Sequence, residues 1–396
     1  MKYVVIIPDG MADYPLEALG GQTPLQAAET PNFDALARIG TVGTVRTIPE
    51  DMEAGSEIAN LSILGYEPHQ YFTGRGPLEA AAMGISLGER DVAFRCNLVT
   101  TDGEVLVDYA AGHISTEEAG PLIALVDGKL GGGPAHFFPG ISYRHLMVWA
   151  DDPVLVQTMP PHNVEGRPLV EIMPVGNREA RLRQMMYDSL DILDGHDINR
   201  RRRDEGKNPA NMIWPWGGGR RPDMPSFFVR FGLTGAVICA VDLIKGIGRL
   251  AGLQHVPVPG ATGYIDTDYE AKGNYTVGAL RDYDFVYVHI EAPDEASHLG
   301  DPEKKIAAIE QCDRFVLGRV LDQRHEFGEV SIMVLPDHYT PIGCQPAHMP
   351  DPVPFVIDRQ LPGRSGFTAD GFWEGAAEQT GLHVDQGHEL MGLFVA

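Results

Sequence analysis

Aspartate and histidine residues recur in this sequence where runs of apolar residues end. Carboxylate and imidazole groups without thiolates form a ligand set that favours Mn²⁺ or Zn²⁺ over Ca²⁺ or Mg²⁺. Two such ions about 3.5–4 Å apart would stabilise the attacking and the leaving oxygen of a phosphoryl displacement. A single aspartate at a strand end is more often a cap or turn residue, but a set that recurs at three equivalent strand ends favours a joint metal site. The set consists of Asp9, Asp294, His298, Asp337, His338 and His348.

The spacing within this set predicts how its members are oriented. Asp294 and His298 are four residues apart, which places them on one face if the segment forms a helical turn. Asp337 and His338 are adjacent, so at a strand end their side chains diverge and could serve two different ions.

Ser56 is the candidate nucleophile. It follows Gly55 and opens a helical pattern, which would place its hydroxyl at the positive end of a helix, facing an anion. A metal ion would lower the pKa of this hydroxyl and supply the activation that a free serine lacks. The same pattern is typical of an ordinary helix N-cap, so both interpretations stay open. A Ser-His-Asp triad is disfavoured because no serine lies in a G-x-S-x-G elbow.

The apolar runs before these residues predict buried strands. The runs at 2–7, 284–290 and 331–335 lack polar alternation, which is typical of strands covered on both faces of a parallel sheet. Helical patterns lie between them, at 30–38 with a proline at the first position and at 303–321. Strands alternating with helices predict an α/β fold with a doubly wound, mostly parallel sheet, whose ligands bind beyond the carboxyl ends of the strands.

The middle of the chain has a different composition and predicts a second domain inserted into the first. Proline, glycine, histidine and arginine are enriched there, with runs at 131–133, 200–203 and 217–219. We therefore expect a first part at 1–100, a smaller inserted α/β domain at 101–221, and a second part of the metal-binding domain at 222–396.

Charge and cysteine content exclude several classes of protein. The chain has 31 basic against 55 acidic residues, a formal net charge of −24, which disfavours nucleic acid and anionic membrane surfaces as partners. The four cysteines form no CxxC pair and fit reduced thiols. The apolar start is too short for a signal peptide, and the most apolar long window, 232–252, contains charged residues. These features predict a soluble cytoplasmic protein.

Several segments together resemble a known family of enzymes. The archaeal-type, cofactor-independent phosphoglycerate mutases, members of the alkaline phosphatase-like superfamily of metalloenzymes, are similar over essentially the whole chain. The segments are 8–13 (PDGMAD), 55–65 (GSEIANLSILG), 71–77 (YFTGRGP), 95–98 (RCNL), 259–263 (PGATG), 289–298 (HIEAPDEASH), 337–338 (DH) and 348–354 (HMPDPVP).

The resemblance implies the glycolytic interconversion of 3-phosphoglycerate and 2-phosphoglycerate by an isomerase that needs no 2,3-bisphosphoglycerate. It implies two divalent ions, with Mn²⁺ expected and Zn²⁺, Co²⁺ or Mg²⁺ as alternatives, and a transient phosphoserine at Ser56. One ion would bind Asp294, His298 and His348, with His289 as the alternative to His348. The other ion would bind Asp9, Ser56, Asp337 and His338.

An isomerase of this kind must keep water from the phosphoserine, so we expect the inserted domain to close over the cleft and hold the substrate. Arginine pairs bidentately with carboxylate and phosphate groups. Lys272 is expected to match an active-site lysine of the family. The expected substrate contacts are His162, Arg144, Arg202, Arg203, Arg220, Arg221 and Lys272.

Three other functions remain open on the sequence. A metal-dependent phosphatase or phosphodiesterase would use the same ions and nucleophile in an open cleft. A homoserine kinase-like phosphotransferase is disfavoured because the chain has no Walker-type G-x-x-x-x-G-K-[ST] loop. A non-catalytic scaffold would keep its role without Ser56. A homo-oligomer is compatible with each of these functions.

Overall fold

The computed structural model of the protein describes residues 1–150, 156–176, 179–361, 363 and 365–396. The strands are β1 Lys2–Pro8, β2 Thr41–Val45, β3 Val92–Thr101, β4 Leu106–Asp108, β5 Ala135–Phe138, β6 Arg144–Trp149, β7 Met212–Arg220, β8 Gly235–Ile238, β9 Gln254–His255, β10 Phe285–Ile290, β11 Val330–Val334, β12 Val353–Ile357 and β13 His383–Val384.

The α-helices are α1 Pro24–Ala27, α2 Pro31–Ile39, α3 Ser56–Ile63, α4 Pro68–Tyr71, α5 Arg75–Met83, α6 Thr116–Leu130, α7 Leu169–Ile172, α8 Glu179–Leu193, α9 Asp197–Asp204, α10 Phe227–Phe231, α11 Asp242–Leu250, α12 Tyr269–Ala279, α13 Ala292–His298, α14 Pro302–Gln311, α15 Gly318–Gln323, α16 Glu374–Gln379 and α17 Leu390–Val395. Within the described ranges, none of these helices combines the length and the apolar character needed to cross a bilayer.

The chain divides into two compact units. The outer unit comprises Met1–Phe72 and Met224–Ala396, and the inserted unit comprises Thr73–Asp223. The inserted unit therefore begins well before residue 101, where the change in composition placed it. The reason is strand pairing, since β3 pairs with β6 and β7 and so belongs to the inserted sheet. Composition does not report such pairing.

The outer unit is built on a mostly parallel sheet with the strand order β13-β2-β12-β11-β1-β10-β8-β9. β1 lies between β11 and β10 and is parallel to both, while β12 is antiparallel to its two neighbours. In register, Ile7 is opposite His289. The three strands predicted from apolar runs are thus neighbours, and the expected doubly wound, mostly parallel α/β sheet is confirmed.

Helices cover both faces of this sheet. On one face, Val4 and Ile6 of β1 pack in a buried cluster with Ile309 of α14. On the other, the ring of Tyr3 lies against Phe394 of α17 at a centroid distance of 5.4 Å. Burial on both faces explains why β1 is apolar without alternation.

Helix α12 lies unusually close to the segment that follows α14. That segment, Cys312–Leu317, forms a π-helical turn between α14 and α15. A Cβ atom on Gly273 would lie 2.1 Å from the carbonyl oxygen of Phe315, so only glycine fits this approach. The contact fixes the position of α12, which carries Lys272.

The inserted unit contains an antiparallel sheet. Its order is β4-β3-β6-β5, and β7 also pairs with β3, antiparallel to it. Leu122 of α6 and Met186 of α8 pack with Trp214 of β7 in its buried core. An inserted α/β arrangement is therefore present.

The close approach at Gly273 yields a stability prediction. Gly273→Ala should lower the free energy of unfolding by about 1–3 kcal/mol, because a backbone carbonyl cannot move aside as a side chain can. Gly278→Ala in the same helix is the matched control, because no atom lies within 4 Å of the position that its methyl group would take. That control should raise the free energy of unfolding by about 0.4–1 kcal/mol. Urea unfolding followed by circular dichroism measures both, and equal effects would contradict the packing argument.

Candidate metal centre and active site

The carboxyl ends of the three neighbouring strands bring a first group of ligands together. Asp9 follows β1, Asp337 follows β11, and His289 lies near the end of β10. His289 Nε2 is 3.5 Å from Asp9 Oδ2 and 3.9 Å from Asp337 Oδ2. One ligand atom from each of the three residues lies within 4.8 Å of the others, and all three residues are buried. We call this set the Asp9 group.

A second group forms around Asp294. Helix α13 places Asp294 and His298 on one face, with His298 Nε2 3.1 Å from Asp294 Oδ2, as the four-residue spacing predicted. His348 Nε2 lies 3.4 Å from Asp294 Oδ1 and 3.3 Å from His298 Nε2. Asp294, His338 and His348 offer ligand atoms within 4.8 Å of one another, and we call them the Asp294 group.

His338 lies between the two groups. Its Nε2 is 3.5 Å from Asp9 Oδ1 and 3.5 Å from Asp337 Oδ2, and it also belongs to the Asp294 group, whose ligand atoms lie within 4.8 Å of one another. The adjacent residues Asp337 and His338 were predicted to serve two different ions, and their side chains lie close to each other, with His338 Nε2 3.5 Å from Asp337 Oδ2. The resemblance had assigned His338 with Asp9 and Asp337, and the structure brings it within reach of both groups.

Thr340 fixes the orientation of His338. Its Oγ1 lies 2.6 Å from Asp294 Oδ1 and 3.0 Å from His338 Nδ1. The hydroxyl has one proton, and an ionised carboxylate can only accept, so Thr340 donates to Asp294 and accepts from His338 Nδ1. In the neutral imidazole this leaves the lone pair of Nε2 directed towards the two groups.

Ser56 is the first residue of α3, and the N-cap is Gly55. The hydroxyl therefore does not serve as the helix cap. Ser56 Oγ lies 3.0 Å from His338 Nε2, at the end of the helix where the unpaired N–H groups concentrate positive potential. Asn60 supports the turn, because its Nδ2 donates to the carbonyl of Ser56 and to Asp337 Oδ2.

The carboxylates of the site do not titrate alike. Burial, followed by the charges of Asp337 and Asp294, raises the pKa of Asp9 well above its ordinary value. Burial also opposes ionisation of Asp294, but hydrogen bonds from His298 and His348 outweigh it and hold the pKa well below the usual range. For Asp337, His338 and His289 likewise outweigh burial and lower the pKa. The charge that lacks compensation is therefore that of Asp9.

These residues fit divalent cations. Asp9 Oδ1 and both ring nitrogens of His289 are buried and lack a hydrogen-bond partner among the described residues. Such atoms cost about 1–3 kcal/mol each unless something satisfies them. A cation would satisfy Asp9 Oδ1 and the lone pair of one ring nitrogen of His289, and carboxylate with imidazole is a donor set that Mn²⁺ and Zn²⁺ accept.

Lys272 does not reach the solvent. Its side chain is fully buried, and its Nζ donates to Glu291 Oε2 at 2.8 Å and to the carbonyl of His289 at 3.0 Å. The expectation of a substrate-contacting lysine is thus corrected to a lysine that binds Glu291. Glu291 was not among the residues predicted from the sequence, although it lies inside the segment 289–298.

Arginines of the inserted unit cluster around Trp216. The guanidinium carbons of Arg75 and Arg95 lie 5.6 and 5.2 Å from the centroid of its ring. Burial, together with the charges of Arg75 and Arg144, lowers the pKa of Arg95 to about 10, although Glu79 opposes this at 2.9 Å. Like charges held this close favour the binding of an anion.

His162 lies beside this cluster, with its ring 5.5 Å from the ring of Trp216. The Nε atoms of Arg95 and Arg220 are buried without a hydrogen-bond partner among the described residues. Of the predicted substrate contacts, His162 thus lies beside Trp216, and the charge of Arg144 acts on Arg95. Arg75 and Arg95 were missed as candidates, although the segments 71–77 and 95–98 contain them.

The remaining predicted arginines have other surroundings. Arg202 is buried, and its three guanidinium nitrogens donate to Glu118, to the carbonyl of Ala111 and to that of Asn208. Arg203 pairs with Asp194. Arg221 is exposed directly after β7. Arg202 and Arg203 are thus corrected to structural ion pairs, because intramolecular acceptors already occupy their donors.

Comparisons with known proteins agree with the motifs. Residues 37–199 match the family model described as 2,3-bisphosphoglycerate-independent phosphoglycerate mutase. The 2,3-bisphosphoglycerate-independent phosphoglycerate mutase 2 of Methanothermobacter thermautotrophicus is 50% identical over 400 residues, which cover 100% of this chain and 97% of the relative.

Two solved structures extend the likeness over nearly the whole chain. A protein from Pyrococcus horikoshii gives a TM-score of 0.84 at 31% identity, covering 99% of this chain and 96% of that one. The cofactor-independent phosphoglycerate mutase from Thermoplasma acidophilum gives 0.69 at 27% identity, covering 100% and 99%. With a full-length relative at 50% identity, the chain belongs to the family of 2,3-bisphosphoglycerate-independent phosphoglycerate mutases, which are isomerases.

Proposed function

We propose that the protein interconverts 3-phosphoglycerate and 2-phosphoglycerate through a phosphoserine at Ser56, assisted by two divalent ions. The observation that carries the proposal is the position of the Ser56 hydroxyl. It lies at the N-terminus of α3, 3.0 Å from His338 Nε2, and His338 in turn lies between the two ligand groups. A serine that only capped the helix would direct its hydroxyl at a backbone N–H of the first turn, whereas this hydroxyl lies against His338.

The residues proposed to hold each ion are those that the family resemblance implies, and they overlap with the Asp9 group and the Asp294 group without coinciding with them. Asp294, His298 and His348 would hold one ion, while Asp9, Asp337, His338 and Ser56 would hold the other. Bound divalent ions would lower the pKa of the Ser56 hydroxyl and neutralise charge on the phosphoryl oxygens. Mn²⁺ is the ion we expect, in accord with the oxygen and imidazole donors.

Two phosphoryl transfers account for the isomerisation. In the first, Ser56 Oγ forms a bond to phosphorus while the bond from phosphorus to the 3-oxygen of the substrate breaks. In the second, the 2-oxygen of the glycerate forms a bond to the same phosphorus and the bond to Ser56 breaks. Nothing is consumed, because the serine is regenerated. Water must be excluded throughout, since water attack on the phosphoserine would release free phosphate.

The arginine cluster of the inserted unit is proposed to bind an anionic group of the substrate. Arg75, Arg95 and Arg144 supply planar guanidinium donors, which pair bidentately with carboxylate or phosphate. The lowered pKa of Arg95 supports this role, because its main cause is burial, and an anion bound beside the guanidinium would offset the cost of burying its charge.

The function is tested with the purified protein and Mn²⁺. It should convert 3-phosphoglycerate to 2-phosphoglycerate without added 2,3-bisphosphoglycerate, followed by coupling to enolase and by ³¹P NMR. A chelator should abolish turnover reversibly and lower the melting temperature, because ions that bind only the folded state stabilise it. Release of free phosphate in place of 2-phosphoglycerate would instead identify a phosphatase that uses the same residues.

Ser56→Ala should abolish turnover, by at least about 10³-fold, because no other hydroxyl then receives the phosphoryl group. Metal content should stay near normal, since the carboxylate and imidazole ligands remain. Ser62→Ala in the same helix is the matched control and should keep its activity. Steady-state rates and metal analysis measure the effect, and a fully active Ser56→Ala variant would remove this residue from the mechanism.

Arg95→Lys should raise KM by about 10-fold or more, because an ammonium cannot reproduce bidentate pairing worth about 1.5–3 kcal/mol. Arg167→Lys in the same unit is the control, because Arg167 forms an exposed pair with Glu171 at 3.2 Å. This control should leave KM unchanged. An unaltered KM in Arg95→Lys would argue against anion binding by the cluster.

A further inference from the structure

His289 is a fully buried imidazole that belongs to the Asp9 group but is not assigned to either ion in the proposed mechanism. Its Nε2 faces the carboxylates of Asp9 and Asp337, at 3.5 and 3.9 Å. Its Nδ1 faces Glu291 Oε1 at 3.4 Å. Neither nitrogen has a hydrogen-bond partner among the described residues. The imidazole is thus oriented between carboxylates on two sides without being bonded to either.

Both carboxylate oxygens of Glu291 are held by hydrogen bonds. Its Oε1 accepts from the backbone N–H groups of Ala240 and Val241 at 3.0 and 3.2 Å. Its Oε2 accepts from Lys272 Nζ at 2.8 Å. These contacts keep the carboxylate ionised and fixed beside His289 Nδ1.

Lys272 completes the arrangement from the other side. Its Nζ also donates to the carbonyl of His289 at 3.0 Å, so one ammonium holds both the backbone of the histidine and the carboxylate next to its ring. The close approach of α12 at Gly273 sets the position of this lysine. The imidazole of His289 therefore lies between the fixed carboxylate of Glu291 on one side and the carboxylates of Asp9 and Asp337 on the other.

This order is the one found around metal-ligating histidines. Such a histidine directs one ring nitrogen at the ion and gives the N–H of the other to a carboxylate, which sets the tautomer and raises the basicity of the ligand. Here Glu291 would accept the hydrogen bond from Nδ1–H, and the lone pair of Nε2 would point at Asp9 and Asp337.

We propose that His289 is a ligand of the ion bound by Asp9 and Asp337, and that Glu291 and Lys272 are positioning residues for its imidazole. The inference deepens the proposed function and rests on it, because it adds a protein ligand to one of the two ions. It also gives the buried Lys272 a role that does not require contact with substrate.

A counter-charge role is the competing explanation. Burial disfavours the charged imidazole, but the carboxylates of Asp337 and Glu291 outweigh burial and raise the pKa of His289 to about 9. A protonated imidazole would neutralise the acidic cluster and repel a cation. The two roles predict opposite changes in ion affinity when His289 is replaced, because removing a ligand weakens ion binding and removing a repelling charge strengthens it.

The test measures Mn²⁺ binding to the ion-free protein by calorimetry, with metal analysis after gel filtration. His289→Asn should weaken one of the two binding events by about 10- to 100-fold and leave the other unchanged. Glu291→Gln should weaken the same event by a smaller factor. His145→Asn is the control, because His145 is likewise buried with an unpartnered Nε2 but belongs to the inserted unit.

The outcomes distinguish failure of the ligand role of His289 from failure of the proposed two-ion function. Unchanged or tighter Mn²⁺ binding by His289→Asn would overturn the ligand role while the two-ion function stands. Failure of the wild-type protein to bind Mn²⁺ would instead remove the two-ion function. If His289→Asn does not fold, Mn²⁺ binding by His289→Gln tests the ligand role instead. The absorption spectrum of the Co²⁺-loaded Lys272→Met variant tests the positioning role, because altered ligand geometry changes the intensity of the Co²⁺ bands. A wild-type spectrum together with wild-type affinity would contradict the proposal.

Discussion

The burial of three carboxylates in one place is the constraint on which the rest of this structure depends. Asp9 and Asp337 follow neighbouring strands and Asp294 lies in the helix after the third strand, and burial together with the charges of Asp337 and Asp294 raises the pKa of Asp9. Uncompensated buried charge is among the costliest features a fold can contain. Histidines offset part of it, because His298 and His348 contact Asp294 and His338 lies near Asp337. The charge left at Asp9 is the part that a cation would neutralise.

The sheet makes this concentration of charge possible. Parallel strands β11, β1 and β10 end at the same edge, so residues far apart in sequence arrive together without long loops. The three strands are buried on both faces, and their rigidity holds the ligands in place. Hydrogen bonds from neighbouring residues then orient the acidic side chains, because Asn60 donates to Asp337 and Lys272 donates to Glu291. A rigid scaffold with fixed supporting partners is what a precise constellation requires.

The sequence was sufficient for the features that depend on local pattern. Apolar runs that end in aspartate predicted β1, β10 and β11, and the four-residue spacing predicted the shared face of Asp294 and His298. Features that depend on tertiary partners were not predictable. Arg202 and Arg95 look alike in sequence, but Arg202 is satisfied by Glu118 and two carbonyls, whereas Arg95 pairs with Glu79 and has the charges of Arg75 and Arg144 beside it.

The boundary of the inserted unit was missed for a similar reason. Strand β3 has no compositional mark that distinguishes it from the strands of the outer unit, and only its pairing with β6 and β7 assigns it. Likewise, the spacing of His289, Glu291 and Lys272 gives no sign that a single ammonium contacts the first two. Which buried charges pair with each other cannot be read from the sequence, because it depends on which groups the fold buries side by side.

Thr340 shows why the two ligand groups should not be treated as independent. Its single proton goes to Asp294, so its oxygen accepts from His338, and the lone pair of His338 Nε2 is thereby turned towards Ser56 and Asp9. The hydroxyl of Thr340 therefore links the carboxylate of Asp294 to the orientation of the imidazole that contacts Ser56, through two hydrogen bonds rather than through any long-range movement.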